Sequence, residues 1–458
     1  GSGWYGYSGA SDVKYTYIVG NDLLPEVVIG RISADDSNDL NNIINKTIQY
    51  EKAQLQTDLG WFERAALIGD PTSSGLSCAI TNQWIKELMI QYGFEDVAAD
   101  LNGGGSQLEN FLNDNFNEGI MYYNYRGIYG SPGAYLPNNG NNLSNGYYTP
   151  FATVLTCGTG DFNQDDDSED FIRTGSVNSP KGAVACVGTS TTGTHTAYNN
   201  IINMGIYDGI FAKGVSFAGS ATTSGRLAIY ETYPANPGDC VGAFSAWNNL
   251  MGDPALHLWT DTPKDFNVNI PSQIPLGSNH LELVVTNTEG DLVENARVTL
   301  LMGDDTIFES NYTDINGHVA FDWNNTDEVG TLYVTITKRN YRPSENSINI
   351  SDDYAIDIQW DGYLESNPGQ IYTLPTISIS SIGNENISWI LGELTSNSDL
   401  VDITNPTTSW IYMTPDDSIG NQEPLIIHVS ENAIFGDNLI LILNLVDDED
   451  NTWSVYLP

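Results

Sequence analysis

Cys157 closes the run Phe151-Ala-Thr-Val-Leu-Thr-Cys157, and the Gly-rich, acidic stretch Gly158-Thr-Gly-Asp161-Phe162 follows it. A short apolar, β-branched segment that breaks at a cysteine presents a thiol at the tip of a buried strand. Such a thiol attacks a carbonyl only as thiolate, so it needs a neighbouring base. The segment suited to supply one, Gly119-Ile-Met-Tyr-Tyr-Asn124-Tyr-Arg-Gly127-Ile128-Tyr129-Gly130-Ser131, contains no histidine. Tyr129 is no substitute, because a tyrosine titrates near ~10.

Five histidines exist: His195, His257, His280, His318 and His428. The last three lie in a β-rich tail. His257 follows Gly252-Asp-Pro254 in an apolar run and reads as structural. His195, in Gly193-Thr-His-Thr-Ala, reads either as a loop residue near the thiol or as an exposed polar side chain. Cys78, Cys157, Cys186 and Cys240 allow two disulfides in three pairings, so Cys157 reads as nucleophile or as half of a bridge. Cys186, inside Ala183-Val-Ala-Cys-Val-Gly188, reads as a small buried hydrophobe. Asp161, Asn163 and Asp165 alternate as calcium-binding oxygens do, but the Gly and Glu of an EF-hand loop are missing. A non-EF calcium site and a solvated acidic loop both fit.

The elements that must position these residues divide the chain. Residues 1–260 alternate strand and helix signals. Strands are expected at 27–31, 65–68, 119–125, 151–156 and 183–188. Ser33 to Asp36 offer caps for a helix with the stripe Leu40, Ile43, Ile44 and Ile48. Further helices carry Trp84, Ile85, Leu88 and Met89, then Leu108, Phe111 and Leu112. This order implies a mainly parallel sheet covered on both faces, with the site beyond the carboxyl ends of its strands. Asp70, residues 127–130, Cys157 and residues 188–195 all follow strand ends.

From Asp261 helical periods vanish. Short alternating strands predict β-sandwiches over 261–358 and 359–458, with turns at Asn287–Asp291 and Asp314–Gly317. The tail aromatics Trp360, Tyr363, Trp389, Trp410 and Tyr412 read as core and interface residues. A third reading makes this tail the working part, as a glycan-binding or cell-surface module.

The net charge of −43, from 59 acids against 16 Lys and Arg, excludes nucleic acid and anionic membrane as charge-recognised partners. No apolar run approaches the ~18 residues of a transmembrane segment. The start, Gly1-Ser-Gly-Trp-Tyr, reads as a processed or trimmed end.

Residues 12–260 resemble the gingipain family, secreted cysteine endopeptidases of caspase-like fold. The resemblance rests on Ser11-Asp12-Val-Lys-Tyr15 with Glu26-Val-Val-Ile29-Gly30-Arg31, on Gln91-Tyr-Gly-Phe94, on Asn124-Tyr125-x-Gly127, on Cys157-Gly-Thr-Gly-Asp161-Phe162 and on Gly252-Asp253-Pro254-Ala255-Leu256. It implies an α/β caspase-like three-layer catalytic subdomain followed by Ig-like sandwiches. Cys157 would be the nucleophile, passing through a thioester, and the amides of Cys157 and Gly130 the oxyanion hole. Asp70 would be the acid that orients a histidine. Where the family has that histidine between two glycines, this chain has Ile128-Tyr129. The 188–195 loop would wall the primary specificity pocket, which brings His195 forward as the replacement. The pocket acid of Arg-specific members falls near Cys78, so a preference for basic residues is not implied.

The resemblance further implies a protein or peptide substrate and a secreted or cell-surface bacterial location reached by type IX secretion. No cofactor is expected to be required, and structural calcium is left open by the acidic loop alone. Only ten residues precede Ser11, so the family's amino-terminal subdomain is expected to be absent from this chain and either held as a separately cleaved chain or lost. A catalytically inactive pseudopeptidase, kept as a binding or structural module, is the competing expectation.

Overall fold

A computed structural model describes residues 9–103, 105–360, 367–414, 417–434 and 436–457. The opening pentapeptide and Tyr363 lie outside the described residues. The chain divides into two compact units, Gly1–Pro263 and Lys264–Pro458.

In chain order, the first unit contains α1 (Ser37–Lys52), β1 (Arg64–Gly69), α2 (Leu76–Tyr92), β2 (Asp96–Asp100), α3 (Ser106–Glu118), β3 (Tyr122–Arg126) and β4 (Phe151–Val154). Next come α4 (Asp167–Arg173), the two-residue pair β5 (Gly175–Ser176) and β6 (Ser179–Pro180), and β7 (Ala185–Thr189). The unit ends with α5 (Thr196–Phe211), α6 (Ala218–Thr232), α7 (Cys240–Trp247) and β8 (Asn248–Met251). The main sheet runs β2-β1-β3-β4-β7-β8. Its pairs are parallel except β7 with β8, which is antiparallel.

Both faces of this sheet are buried. Ala65, Leu67, Tyr122, Phe151 and Val187 pack with Ile85 and Met89 of α2, Ile202 and Ile206 of α5, and α6 and α7. Ala66, Ile68, Tyr123, Ala152 and Cys186 pack with Ile43 of α1, Leu108 and Leu112 of α3, and Phe171 of α4. The result is three layers, α/β/α. Burial on both faces is why these strands read as apolar runs without alternation.

The helix α1 turns a different face inward from the one its apolar stripe predicts. Its N-cap Asp36 accepts from the amides of Asn38 and Asp39 at 2.7 and 3.0 Å. Ile43 is buried, but Leu40, Ile44 and Ile48 are about two-fifths exposed. The buried side carries Asn42, Lys46, Thr47 and Tyr50, because it meets chain carbonyls. Lys46 Nζ donates to Ile172 O at 2.6 Å and Lys181 O at 2.9 Å, and Asn42 Nδ2 to Arg173 O at 2.8 Å. Nor is 27–31 a strand. Only Arg31 bridges Met251, while its guanidinium is held by Asp12 at 2.7 and 2.8 Å and lies 4.0 Å over the Phe162 ring.

The second unit has only strands among its described residues. One core gathers Leu283, Val285, Val298, Leu300, Val334 and Ile336 between a five-stranded and a three-stranded sheet. Another gathers Ile390, Trp410, Ile427, Leu443 and Trp453. The Asp314–Gly317 turn forms, with Gly317 N donating to Asp314 O at 2.9 Å, but it links strands of different sheets. Trp410 is buried, whereas Trp389 and Tyr412 are 42% and 77% exposed. The phase set by Ile390, Gly392 and Leu394 turns Trp389 outward.

Candidate active site

Cys157 lies three residues beyond the end of β4, in a turn built on side-chain hydroxyls. Thr156 Oγ1 donates to Gly127 O at 2.8 Å, and Thr159 Oγ1 to Val154 O at 2.6 Å. Gly158, at φ +68°, donates its amide to Thr191 O at 2.8 Å. Gly160 passes so close to β7 that a Cβ there would meet the Gly188 carbonyl carbon at 2.5 Å. These contacts tie the Cys157 loop to the 188–195 loop.

All four cysteines are free thiols, and Cys157 alone among them is partly exposed. Its Sγ lies 3.0 Å from Thr194 Oγ1. Burial pushes the thiols of Cys78 and Cys186 up, as expected of inert core cysteines.

Asp70 follows β1 and is buried. Its amide donates to Arg126 O at 2.8 Å. Its carboxylate accepts from the Thr72 amide at 2.9 Å, from the Thr72 hydroxyl, and from Ser131 Oγ at 2.8 Å. Burial raises this carboxyl's pKa, but the bonds from Thr72 and Ser131 together hold it below the ordinary carboxylate value. Asp70 therefore anchors the turn that carries Gly130. At φ +79°, Gly130 has open space around it, so glycine is there for its backbone conformation. The amides of Gly130 and Cys157 have no acceptor among the described residues, which leaves both available to an oxyanion.

Ile128 and Tyr129 are 41% and 50% exposed. The Asp167 carboxylate, partial burial and Asp166 all push the Tyr129 phenol upward, further from use as a base. His195 is the exposed N-cap of α5, with Nδ1 accepting from the Ala197 amide at 3.2 Å. In the neutral ring this places the proton on Nε2. Here the imidazole caps a helix, next in sequence to the residue that touches the thiol. His257 stacks edge-on against Phe217, with ring centroids 5.1 Å apart.

In the acidic loop, Asn163 Nδ2 donates to Asp161 Oδ1 at 3.1 Å, and Asp165 pairs with Arg173 at 3.0 Å. Among the described residues no group of three or more His, Cys, Asp or Glu side chains is arranged to hold a metal ion.

Two features were missed from sequence. Asn124, in the middle of β3, bonds Asn82 of α2 at 2.7 Å, Asn203 of α5 at 2.8 and 3.0 Å, and Thr153 of β4. This buried amide network fixes both helices to the strand beside Cys157. Arg126, the unassigned position in Asn124-Tyr125-x-Gly127, is 2% exposed. Its Nε donates to Asn200 Oδ1 at 2.9 Å and Nη2 to Thr196 O at 3.2 Å. A permanent charge at the end of an otherwise uncharged strand was the available signal.

A doubly covered parallel sheet, with a free thiol and unspent amides beyond its strand ends, defines an α/β protein equipped for thiol acyl chemistry. The chain belongs to peptidase family C25, whose pattern matches residues 3–259. It is 27% identical to gingipain R2 of Porphyromonas gingivalis over 315 residues, covering 63% of this chain and 41% of that protein. It is 25% identical to Lys-gingipain of the same organism over 370 residues, covering 73% and 20%. The crystal structure of the Arg-specific cysteine proteinase gingipain R aligns with a TM-score of 0.65 at 25% identity, covering 75% of this chain and 80% of that one. A complex of pro- and mature domains from the same organism gives 0.64, also at 25% identity, covering 74% and 81%. The chain thus spans less than half the length of these curated relatives. Among the described residues no helix is long and apolar enough to cross a membrane.

Proposed function

We propose that the chain is a secreted, gingipain-like cysteine endopeptidase unit acting on protein substrates. The observation that carries this reading is the free, partly exposed Cys157 thiol, together with the amides of Cys157 and Gly130, which have no acceptor among the described residues. Sγ attacks the peptide carbonyl carbon and a thioester forms. The carbonyl oxygen carries the transient negative charge against the amides of Cys157 and Gly130. The C–N bond then breaks and the amine leaves with a proton; water hydrolyses the thioester and regenerates the thiol. Asp70 acts as a positioning residue, holding the Gly130 turn through Ser131.

His195 takes the role of base. For this its ring must leave the Ala197 amide, which frees the ring for proton transfer beside Thr194. Family membership and the pro-domain complex of a relative support a protein substrate and an associated amino-terminal segment.

Intact-mass measurement with an activated peptide ester tests the reading. A mass increase equal to the acyl group, lost in Cys157→Ala, is the expected result. A wild-type chain that is never acylated would instead make it a pseudopeptidase. That reading is favoured by one observation: no imidazole bonds the Cys157 thiol among the described residues.

A further inference from the structure

We propose that the buried guanidinium of Arg126 is an anion-recognition group beside Cys157, and that it selects peptides with an Asp or Glu side chain immediately before the scissile bond. This rests on the peptidase reading above and assigns its substrate class.

Arg126 ends β3, next to β4. The pairing of Tyr125 with Val154 sets it level with the start of the Cys157 turn. Both groups are pinned to the same short stretch, since Arg126 Nη2 donates to Thr196 O and Cys157 Sγ contacts Thr194 Oγ1. Every partner of the guanidinium is neutral. It bonds an amide oxygen and a backbone carbonyl, and forms no ion pair among the described residues. Nη1 has no partner among the described residues and is not one of the unpartnered atoms sealed from solvent, although the side chain as a whole is 2% exposed. That leaves one donor for a ligand.

The chain carries 59 acids, and none among the described residues pairs with this cation. Among the other buried or half-buried cations, Arg173 meets Asp35, Asp165 and Glu169, whereas Lys46 and Arg226 bond only carbonyls, three for Lys46 and Asn248 O for Arg226. The unpartnered Nε and Nη1 of Arg226 are sealed from solvent, so what sets Arg126 apart is an unpartnered donor that is not sealed. A buried guanidinium cannot escape its charge by losing a proton, and without an anion it is costly. The ionisable groups near enough to act on it are Cys78, Tyr125 and Cys157, which are neutral in their ordinary protonated forms. A carboxylate brought by the substrate supplies the missing anion with a geometry guanidinium favours. An arginine or lysine side chain there would meet like charge.

The alternative is that Arg126 only ties β3 to α5. Two measurements on the full chain separate the cases. In the first, Cys157 is alkylated by iodoacetate and by iodoacetamide, with the modified cysteine quantified by peptide mass spectrometry. Normalised to glutathione, the iodoacetate-to-iodoacetamide rate ratio is expected to be raised about tenfold or more. It should fall to the glutathione value in Arg126→Gln and be partly kept in Arg126→Lys. A wild-type ratio equal to that of glutathione overturns the proposal whether or not the variants fold.

The second measurement compares peptides identical except for Asp, Arg or Ala before the cleaved bond. The Asp peptide is expected to be cleaved fastest. Cleavage that favours Arg or Ala overturns the acidic preference and leaves the peptidase reading intact. A raised iodoacetate ratio without cleavage of any peptide supports the anion site and overturns the peptidase reading.

Discussion

The thiol of Cys157 and the hydroxyl of Thr194 lie 3.0 Å apart, so the group that contacts the nucleophile comes from the loop leading into α5 and not from the turn after β3. A hydroxyl can donate to the thiolate but cannot deprotonate the thiol at neutral pH. Thr194→Val should therefore slow iodoacetamide labelling of Cys157 by about 2- to 10-fold, the net worth of one hydrogen bond. Thr194→Ser should retain the wild-type rate. Equal rates for Val and wild type would mean that the contact does not govern the thiol.

His195 and Thr194 are adjacent in the chain, yet the His195 ring is turned to the Ala197 amide. Asn is among the best N-cap residues, so His195→Asn keeps the cap and removes only the imidazole. If His195 is the base, turnover falls ~10²- to 10⁴-fold while the urea midpoint stays within error. Unchanged turnover would assign His195 to the helix cap alone.

How much of this was legible in the sequence depended on what each residue packs against. The strands β1, β3, β4 and β7 showed themselves because a two-faced sheet demands unbroken apolar runs. The α1 stripe misled because its buried face meets carbonyls at Ile172, Thr174 and Lys181. A lysine and an asparagine do there what leucines do on a sheet, and spacing alone does not reveal that. Cys157 and Asp70 were legible as loop residues after strand ends. Thr194 and Arg126 were not, since both gain meaning from contacts tens of residues away. The strand expected at 27–31 failed for the same reason: what holds Arg31 is Asp12 and the Phe162 ring, not a sheet neighbour on each side.

Asp70 links the carboxyl end of β1 to Ser131. Its folded pKa is depressed, so its stabilising bonds are present above the unfolded value of ~3.9 and are lost as pH falls through the lower folded value. Asp70→Asn should cost about 1–3 kcal/mol at pH 7, measured by urea unfolding, with the difference shrinking as the pH is taken below ~3.9. The same substitution should slow acylation, because Ser131 and the Gly130 amide lose their anchor. Ser131→Ala should reproduce the slowing with a smaller stability loss.

Asp166 should show the opposite dependence on pH. It caps α4, where Oδ1 accepts from the amides of Ser168 and Glu169 at 2.9 and 3.3 Å, and Oδ2 is buried without a partner. Burial first, then the charge of Glu169, pushes its carboxyl up to about 8. A proton on Oδ2 leaves the cap intact and removes a buried charge. Between the unfolded value of ~3.9 and about 8 the folded chain holds a proton that the unfolded chain releases, so stability declines as pH rises through that window. Asp166→Asn preserves the acceptor oxygen and abolishes the ionisation. Melting temperatures from pH 5 to 9 should therefore fall more steeply for wild type than for the variant, with the variant the more stable at pH 8. Parallel curves would show that Asp166 ionises freely. The effect reaches the site, because Ser168 N bonds Thr159 O at 2.9 Å and Thr159 buttresses the Cys157 turn through Val154 O. Alkaline loosening of α4 should accordingly raise the accessibility of Cys157 in wild type before global unfolding, and not in Asp166→Asn.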